Sequence, residues 1–208
     1  GLESAFDDAF NKLTNNVDRL VVDGRNQKDK FNAIAASDLF CSLVDNIQET
    51  FGITPIEAMA AGLPVLIADW NGYKESIEHG THGFKVSTTM PNEGAGIDIA
   101  KRHALDIDNY DMYLGYTSSY IGVDMGEAAE YLSELVENTT LRQKMGKAAR
   151  ERAVAHYDWK TIIPCYEALW SELAEIRQKA SLKAVDKQKW TARPDPFGSF
   201  SHYPTIQL

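Results

Sequence analysis

The stretch DLFCSLVDNIQETFGITPIEAMAAGLPVLIAD, residues 38–69, decides how the rest of the chain is read. Its two apolar runs, DLFCSLV and PVLIAD, are continuous rather than alternating, the pattern of strands buried in a parallel sheet with helices on both faces. Between them TPIEAMAAG has the composition of a helix and stops at Gly62. Strand, helix and strand within about 30 residues make one parallel crossover unit.

The same rhythm extends in both directions. Upstream, ESAFDDAFNKLTN (3–15) sets Phe6, Phe10 and Leu13 at helical spacing, RLVVDG (19–24) reads as a strand closed by a turn at Gly24, and KFNAIAAS (30–37) reads as a helix. Downstream, GYKESIEHG (72–80) predicts a short helix and GFKV (83–86) a brief strand. From Ser87 to Asp124 the pattern breaks, and a segment that long is an insertion or a functional loop. Tyr110, Tyr113, Tyr116 and Tyr120 recur there at three- and four-residue spacing, which reads as a half-buried helix face, with an acceptor platform as the alternative.

Helices resume with EAAEYLSELVEN and with TLRQKMGKAARERAVAHY, capped by Thr139 or Thr140. A long helix over 158–179 follows, in which Pro164 is expected to kink or delay the start. Arg142, Lys144, Lys147, Arg150 and Arg152 read as a solvated face. The expected organisation is α/β: a Rossmann-like parallel sheet with helices on both faces over residues 1–180, an insertion at about 87–124, and an aromatic, proline-bearing tail over 181–208 that docks on the domain or on a preceding one.

A chain of 208 residues with 44% hydrophobic and 25% charged residues has the material for one good core. Its net charge of -9 argues against nucleic acid or an anionic membrane surface as partner, since both require clustered cations. Cys41 and Cys165 are too few for a disulfide scaffold or a thiolate metal site, which points to a reducing, cytoplasmic setting. No apolar run approaches the roughly 20 residues of a bilayer crossing. The chain opens on Gly1 rather than Met, as an excised piece of a larger protein would.

Chemistry gathers at the turn between the two central strands. Thr54-Pro55-Ile56-Glu57 has the form of a helix start, with Thr54 at the cap, Pro55 in the first helical position and Glu57 three residues after the cap. Two readings of Glu57 stand: a carboxylate that folds back on the cap, and a ligand contact. A glycine turn entering a helix start aims free N–H groups and the positive end of the dipole at one spot, which suits a diphosphate. Gly52 lets that backbone approach a ligand closely. Open parallel sheets bind ligands outside the carboxyl ends of their strands, where Glu49 to Thr54 fall.

Residues 36–86 as a whole resemble the C-terminal, donor-binding half of retaining GT-B glycosyltransferases of family 4, the glycosyl transferases group 1. The mark of that family is two glutamates separated by seven residues. Glu49 and Glu57 have that spacing, and Phe51-Gly52, Glu57-Ala58-Met59-Ala60, Gly62 and Pro64-Val65 match around them. The resemblance implies that Glu49, the catalytic residue, contacts donor-sugar hydroxyls close to the reacting centre. It implies that Phe51, Gly52, Ile53 and Thr54 hold sugar and diphosphate, that Glu57 binds the ribose, and that the Asp23-Gly24-Arg25 turn lies beside the nucleobase.

The implied activity is transfer of a sugar from a nucleotide-diphosphate sugar to an acceptor with retention, without metal or other cofactor. Val44-Asp45-Asn46-Ile47-Gln48 departs from the family's usual Pro-Ser pair. The basic residues that neutralise the family's diphosphate have no counterpart in position, because Arg19 and Arg25 fall in other elements. The family's N-terminal acceptor domain has no counterpart either, so a fragment inactive alone is expected. Alternatives are an epimerase-like or phosphorylase-like enzyme of the same architecture, or a non-catalytic nucleotide-sugar-binding module.

Other constellations read as structural. Asp106-Ile107-Asp108 does not follow a buried strand, so a solvated acidic loop is expected rather than a metal-binding pair. As an EF-hand its sixth and twelfth positions would be Asp111 and Thr117 in place of Gly and Glu. His79 and His82 flank a turn with no third ligand near in sequence. Trp70, in Asp69-Trp70-Asn71-Gly72, follows a strand and either lines the site or covers the domain's edge.

Overall fold

The computed structural model describes residues 2–14 and 17–180; the expected docking tail lies outside the described residues. The chain divides into two units, residues 1–158 and 159–208.

The first unit is built on a three-stranded parallel sheet of β1 (Phe40–Ser42), β2 (Val65–Ala68) and β3 (Gly83–Val86), in the order β1-β2-β3. Phe40 pairs with Val65, and Val65 with Gly83, so β2 is central and all four of its residues are buried. Alternation of side chains along a strand explains why β2 serves two cores. Val65 and Ile67 pack with Ala58, Met59 and Tyr73 on one side, whereas Leu66 packs with Phe84, Leu135 and Met145 on the other. Each such aliphatic side chain removed from water contributes about 1.5–3 kcal/mol. The first cluster lies under α3 (Ile53–Ala60) and α8 (Thr139–Tyr157), the second under α7 (Met125–Glu137) and the first turns of α8. This is the two-faced parallel architecture expected from the continuous apolar runs. The Gly62 turn meets α8 at Gly146, where any Cβ would collide with the Gly62 carbonyl.

Helix α1 (Leu2–Leu13) and α2 (Gln27–Ala35) form as expected, but RLVVDG does not form a strand. Leu20 is 86% and Val21 70% exposed, and no strand pairs with them among the described residues. The expected buried strand DLFCSLV shortens to β1, with Cys41 exposed. A β residue is held by its neighbours' ladder, and β1 is an edge strand with one partner.

Three of the five basic residues on α8 are not solvated ornaments. Arg142 donates to the carbonyls of Leu135 and Val136 at the end of α7, Arg150 to that of Ala60 at the end of α3, and Arg152 to those of Ser76 and Glu75 in α4 (Tyr73–Ser76). The last carbonyls of a helix lack intrahelical partners, and these guanidinium groups supply them. Asn138, rather than Thr139 or Thr140, caps α8 by accepting from the Leu141 amide.

Residues 87–124 form a structured excursion. Strands β4 (Thr88–Thr89) and β5 (Gly122–Val123) pair antiparallel as its stem, and α5 (Ile97–Ala104) and α6 (Tyr110–Ser118) lie between. At its root the Asp124 amide donates to the Ser87 carbonyl at 3.0 Å, and the Ser87 amide donates to Glu127 Oε2 at 2.5 Å. The Ser87 N–H holds the Glu127 carboxyl below its usual range, and the Glu127 carboxylate raises Tyr131, whose hydroxyl donates to it. Asp108 is not in a solvated acidic loop: it is 2% exposed and receives two hydrogen bonds from the Arg102 guanidinium. That pairing holds the Asp108 carboxyl below the usual carboxylate range and stabilises the Arg102 cation. The tyrosine face is wetter than expected, with Tyr110, Tyr116 and Tyr120 exposed and Leu114 the buried residue of α6.

The second unit carries α9 (Trp159–Lys179), which continues through Pro164 rather than starting after it. Tyr166 and Trp170 lie one turn apart along it, with ring centroids at 6.0 Å.

Candidate functional site

The loop from Leu43 to Gly52 leaves the carboxyl end of β1 and enters α3. Gly52 is the residue before the helix, at φ 73°, a conformation costly for any residue with a Cβ. Helix α3 therefore starts at Ile53, one residue before the expected cap, and Thr54 and Pro55 lie in its first turn. The amides of a first turn have no intrahelical acceptor, and Gly52 puts no side chain over those of Ile53 and Thr54. The positive end of the helix dipole falls at the same place.

A second loop braces the first. Trp70 Nε1 donates to the Asn46 carbonyl at 3.0 Å, and Asn71 Nδ2 to the Glu49 carbonyl at 3.3 Å. Asn71 itself has φ 38°. A Cβ on Gly72 would strike the Thr50 carbonyl, and one on Gly52 the ring of Tyr73. The Tyr73 hydroxyl lies 3.3 Å from Ser42 Oγ, tying this brace back to β1. Glycine at both positions is what lets the two loops touch.

Glu49 is half-buried beside the helix start, Ile53 and Thr54 are exposed, and Phe51, 46% exposed, meets the Tyr157 ring edge-on at 6.1 Å. A groove of about 250 Å³ runs between the Gly24 turn and α3, lined by Gly24, Lys30, Thr54 and Glu57 among largely apolar neighbours. Gly24 and Glu57, 33 positions apart in the sequence, share this groove. Arg25 does not line it; its guanidinium binds both oxygens of Asp23, which lowers the Asp23 pKa and raises that of Arg25.

Glu57 does not fold back on the helix start. Its Oε1 accepts from Lys30 Nζ at 2.7 Å. Sequence reading passed over Lys30, because its partner is 27 residues away on another helix and nothing local marks the pair. It left Trp70 undecided and did not single out Tyr73. The two histidines are structural: His82 Nδ1 accepts from the Glu78 amide and His79 Nδ1 from the Lys85 amide. Burial, and then the nearby Arg152 charge, push the His82 pKa down. Among the described residues no group of three or more His, Cys, Asp or Glu side chains is placed to hold a metal ion, and no helix is long and apolar enough to cross a membrane.

A parallel α/β unit with a glycine-entered helix start at a strand's carboxyl end, and two acids on either side of that start, is one half of a GT-B architecture. Residues 7–96 match the family model of the Glycosyl transferases group 1. Among curated relatives, the chain is 26% identical over 165 residues to spore coat protein SA of Bacillus subtilis (strain 168), covering 73% of this chain and 34% of that protein. It is 28% identical over 112 residues to a sucrose synthase of Nitrosomonas europaea, covering 54% of this chain and 10% of that enzyme. The chain thus spans about a third of the first relative and a tenth of the second. Among solved structures it resembles Anabaena HepE, crystallised in complex with UDP-glucose, with a TM-score of 0.51 and 22% identity over 82% of this chain and 36% of that one. At that identity the likeness is one of fold.

Proposed function

We propose that this chain is the donor-binding half of a retaining glycosyltransferase that moves a sugar from a nucleotide-diphosphate sugar to an acceptor. One observation carries the reading: Gly24 and Glu57, expected at the base and ribose of a donor, line one groove that borders the amide-bearing start of α3. In this reading the groove takes the nucleoside, with the Glu57 carboxylate accepting from ribose hydroxyls. The Ile53 and Thr54 amides and the helix dipole take the diphosphate. Phe51 and Gly52 border the sugar, and Glu49 binds its hydroxyls at the reacting carbon. Arg25 belongs to the base-side turn through its pair with Asp23.

Catalysis in this scheme comes from positioning and from stabilising the charge on the departing diphosphate, with no metal required. The HepE structure with UDP-glucose and the sucrose synthase relative support a nucleotide-sugar donor. The acceptor is assigned to a further domain of a longer cytoplasmic protein, in which residues 1–180 form the donor domain.

The test is ligand-observed NMR of the chain with UDP, GDP, ADP and their common sugar conjugates, with Glu57→Ala as control. Binding of one nucleotide that the substitution weakens is expected and would name the base. Binding indifferent to Glu57→Ala would sink the assignment of the groove.

A further inference from the structure

The groove beside the Gly24 turn contains an ion pair whose cation has no part in the donor scheme above. Lys30 comes from α2 and Glu57 from α3, and the 2.7 Å contact between Nζ and Oε1 forms only when the two helices are folded together. Their side chains remain 27% and 35% exposed, so the pair faces the groove and not the core. The wall around it is largely apolar, with Val22, Ile34 and Phe40 among its residues. In such surroundings a salt bridge is screened less than one in open water.

An ammonium has three N–H donors and no acceptor, whereas an ionised carboxylate offers two oxygens and about four acceptor positions. The contact with Lys30 uses one of these and leaves the second oxygen available. A glutamate has three side-chain torsions to fix when it binds a ligand, and an anchored one has less freedom to lose. The pair is therefore suited to present a carboxylate oxygen in one place to a hydroxyl-bearing ligand.

We propose that Lys30 is a positioning residue for the donor nucleotide. It anchors the Glu57 carboxylate by one oxygen so that the other meets the ribose diol, and it thereby sets the preference of the groove for ribonucleotides over forms without the diol. This rests on the donor-site reading of the groove. A purely structural tie between α2 and α3 would behave differently, because its loss would weaken every nucleotide alike.

The experiment is calorimetric titration of the whole chain with UDP, GDP and ADP, each beside its 2′,3′-dideoxy counterpart. It is run on the wild type and on Lys30→Met, Lys30→Arg and Glu57→Gln. The wild type is expected to prefer the ribose form of the nucleotide it binds by on the order of tenfold or more, the worth of a hydrogen bond to a charged group. Glu57→Gln and Lys30→Met should each lower the affinity for the ribose form toward that for the dideoxy form, so that the two bind close to parity. Lys30→Arg, which keeps a cation, should restore the preference.

If Glu57→Gln removes the preference but Lys30→Met keeps it, or weakens both forms equally, Lys30 is not the positioning residue and the donor site stands. A loss that persists in Lys30→Arg would assign the effect to the lysine's stem rather than its charge and overturn the proposal. If the wild type binds none of the nucleotides, or prefers the diol independently of Glu57, the donor reading of the groove fails and this inference fails with it.

Discussion

The indole of Trp70 donates its N–H to the carbonyl oxygen of Asn46 at 3.0 Å, so that the loop after β2 holds the loop after β1 from outside. The Glu49-to-Thr54 turn is thus shaped by residues about twenty positions downstream as well as by its own sequence. Trp70→Phe keeps the ring and removes the donor, a loss of about 1 kcal/mol for one neutral hydrogen bond. Amide exchange across residues 46–52 is expected to quicken, measured by mass spectrometry. Unchanged exchange together with weaker nucleotide binding would instead make Trp70 a ligand contact.

Gly52→Ala meets two obstacles at once: a φ of 73° and the Tyr73 ring where its Cβ must go. A stability loss of about 2 kcal/mol or more is expected, read as a lower midpoint in urea. Adding Tyr73→Ala removes the collision but not the torsional strain. Relative to Tyr73→Ala alone, Gly52→Ala should therefore cost less than it does in the wild type.

Glu49 is the residue assigned to the reacting sugar. In a protein that carries out transfer, Glu49→Gln should lower turnover by roughly 100-fold or more, the scale seen when one preorganised polar contact to a transition state is removed. Nucleotide affinity should move little, because Glu49 does not line the groove that holds Glu57. Full turnover in Glu49→Gln would end its assignment.

His82 gives the fold a pH dependence whose sign is fixed. Burial and the Arg152 charge depress its pKa below the ordinary 6.5, so the folded chain binds fewer protons at this ring than the unfolded chain does. Its contribution to stability is complete above 6.5 and is lost as pH falls from there through the depressed folded value. Thermal midpoints taken across that interval should fall with pH. His82→Asn, which keeps an acceptor for the Glu78 amide without a titrating ring, should flatten the dependence; an unchanged slope would place its origin elsewhere.

Much of the central unit was legible because its signals are local. Continuous apolar runs give β1, though shortened, and β2, the composition of TPIEAMAAG gives α3, and the Glu49–Glu57 spacing with Phe51-Gly52 points to the family. What escaped sequence reading depends on partners far along the chain. Whether RLVVDG becomes a strand is decided by a neighbouring ladder. That Arg142, Arg150 and Arg152 cap other helices is invisible from the spacing of their charges. The cap of α3 moved from Thr54 to Gly52, and its first residue from Pro55 to Ile53, because Gly52, wedged against Tyr73, sets the entry angle. Lys30 was missed for the same reason: its meaning lies in Glu57.

The hydrogen bond between the Asp124 amide and the Ser87 carbonyl brings the two ends of the 87–124 excursion to within 3.0 Å of each other. For the sheet, the excursion is therefore equivalent to a short turn, because the path from β3 to α7 is closed at its base whatever hangs beyond. Loop-closure entropy grows only slowly with length, so a cassette rooted this way can be shortened, lengthened or exchanged at little expense to its host. The segment that sequence could read least is the one the scaffold leaves most open to change.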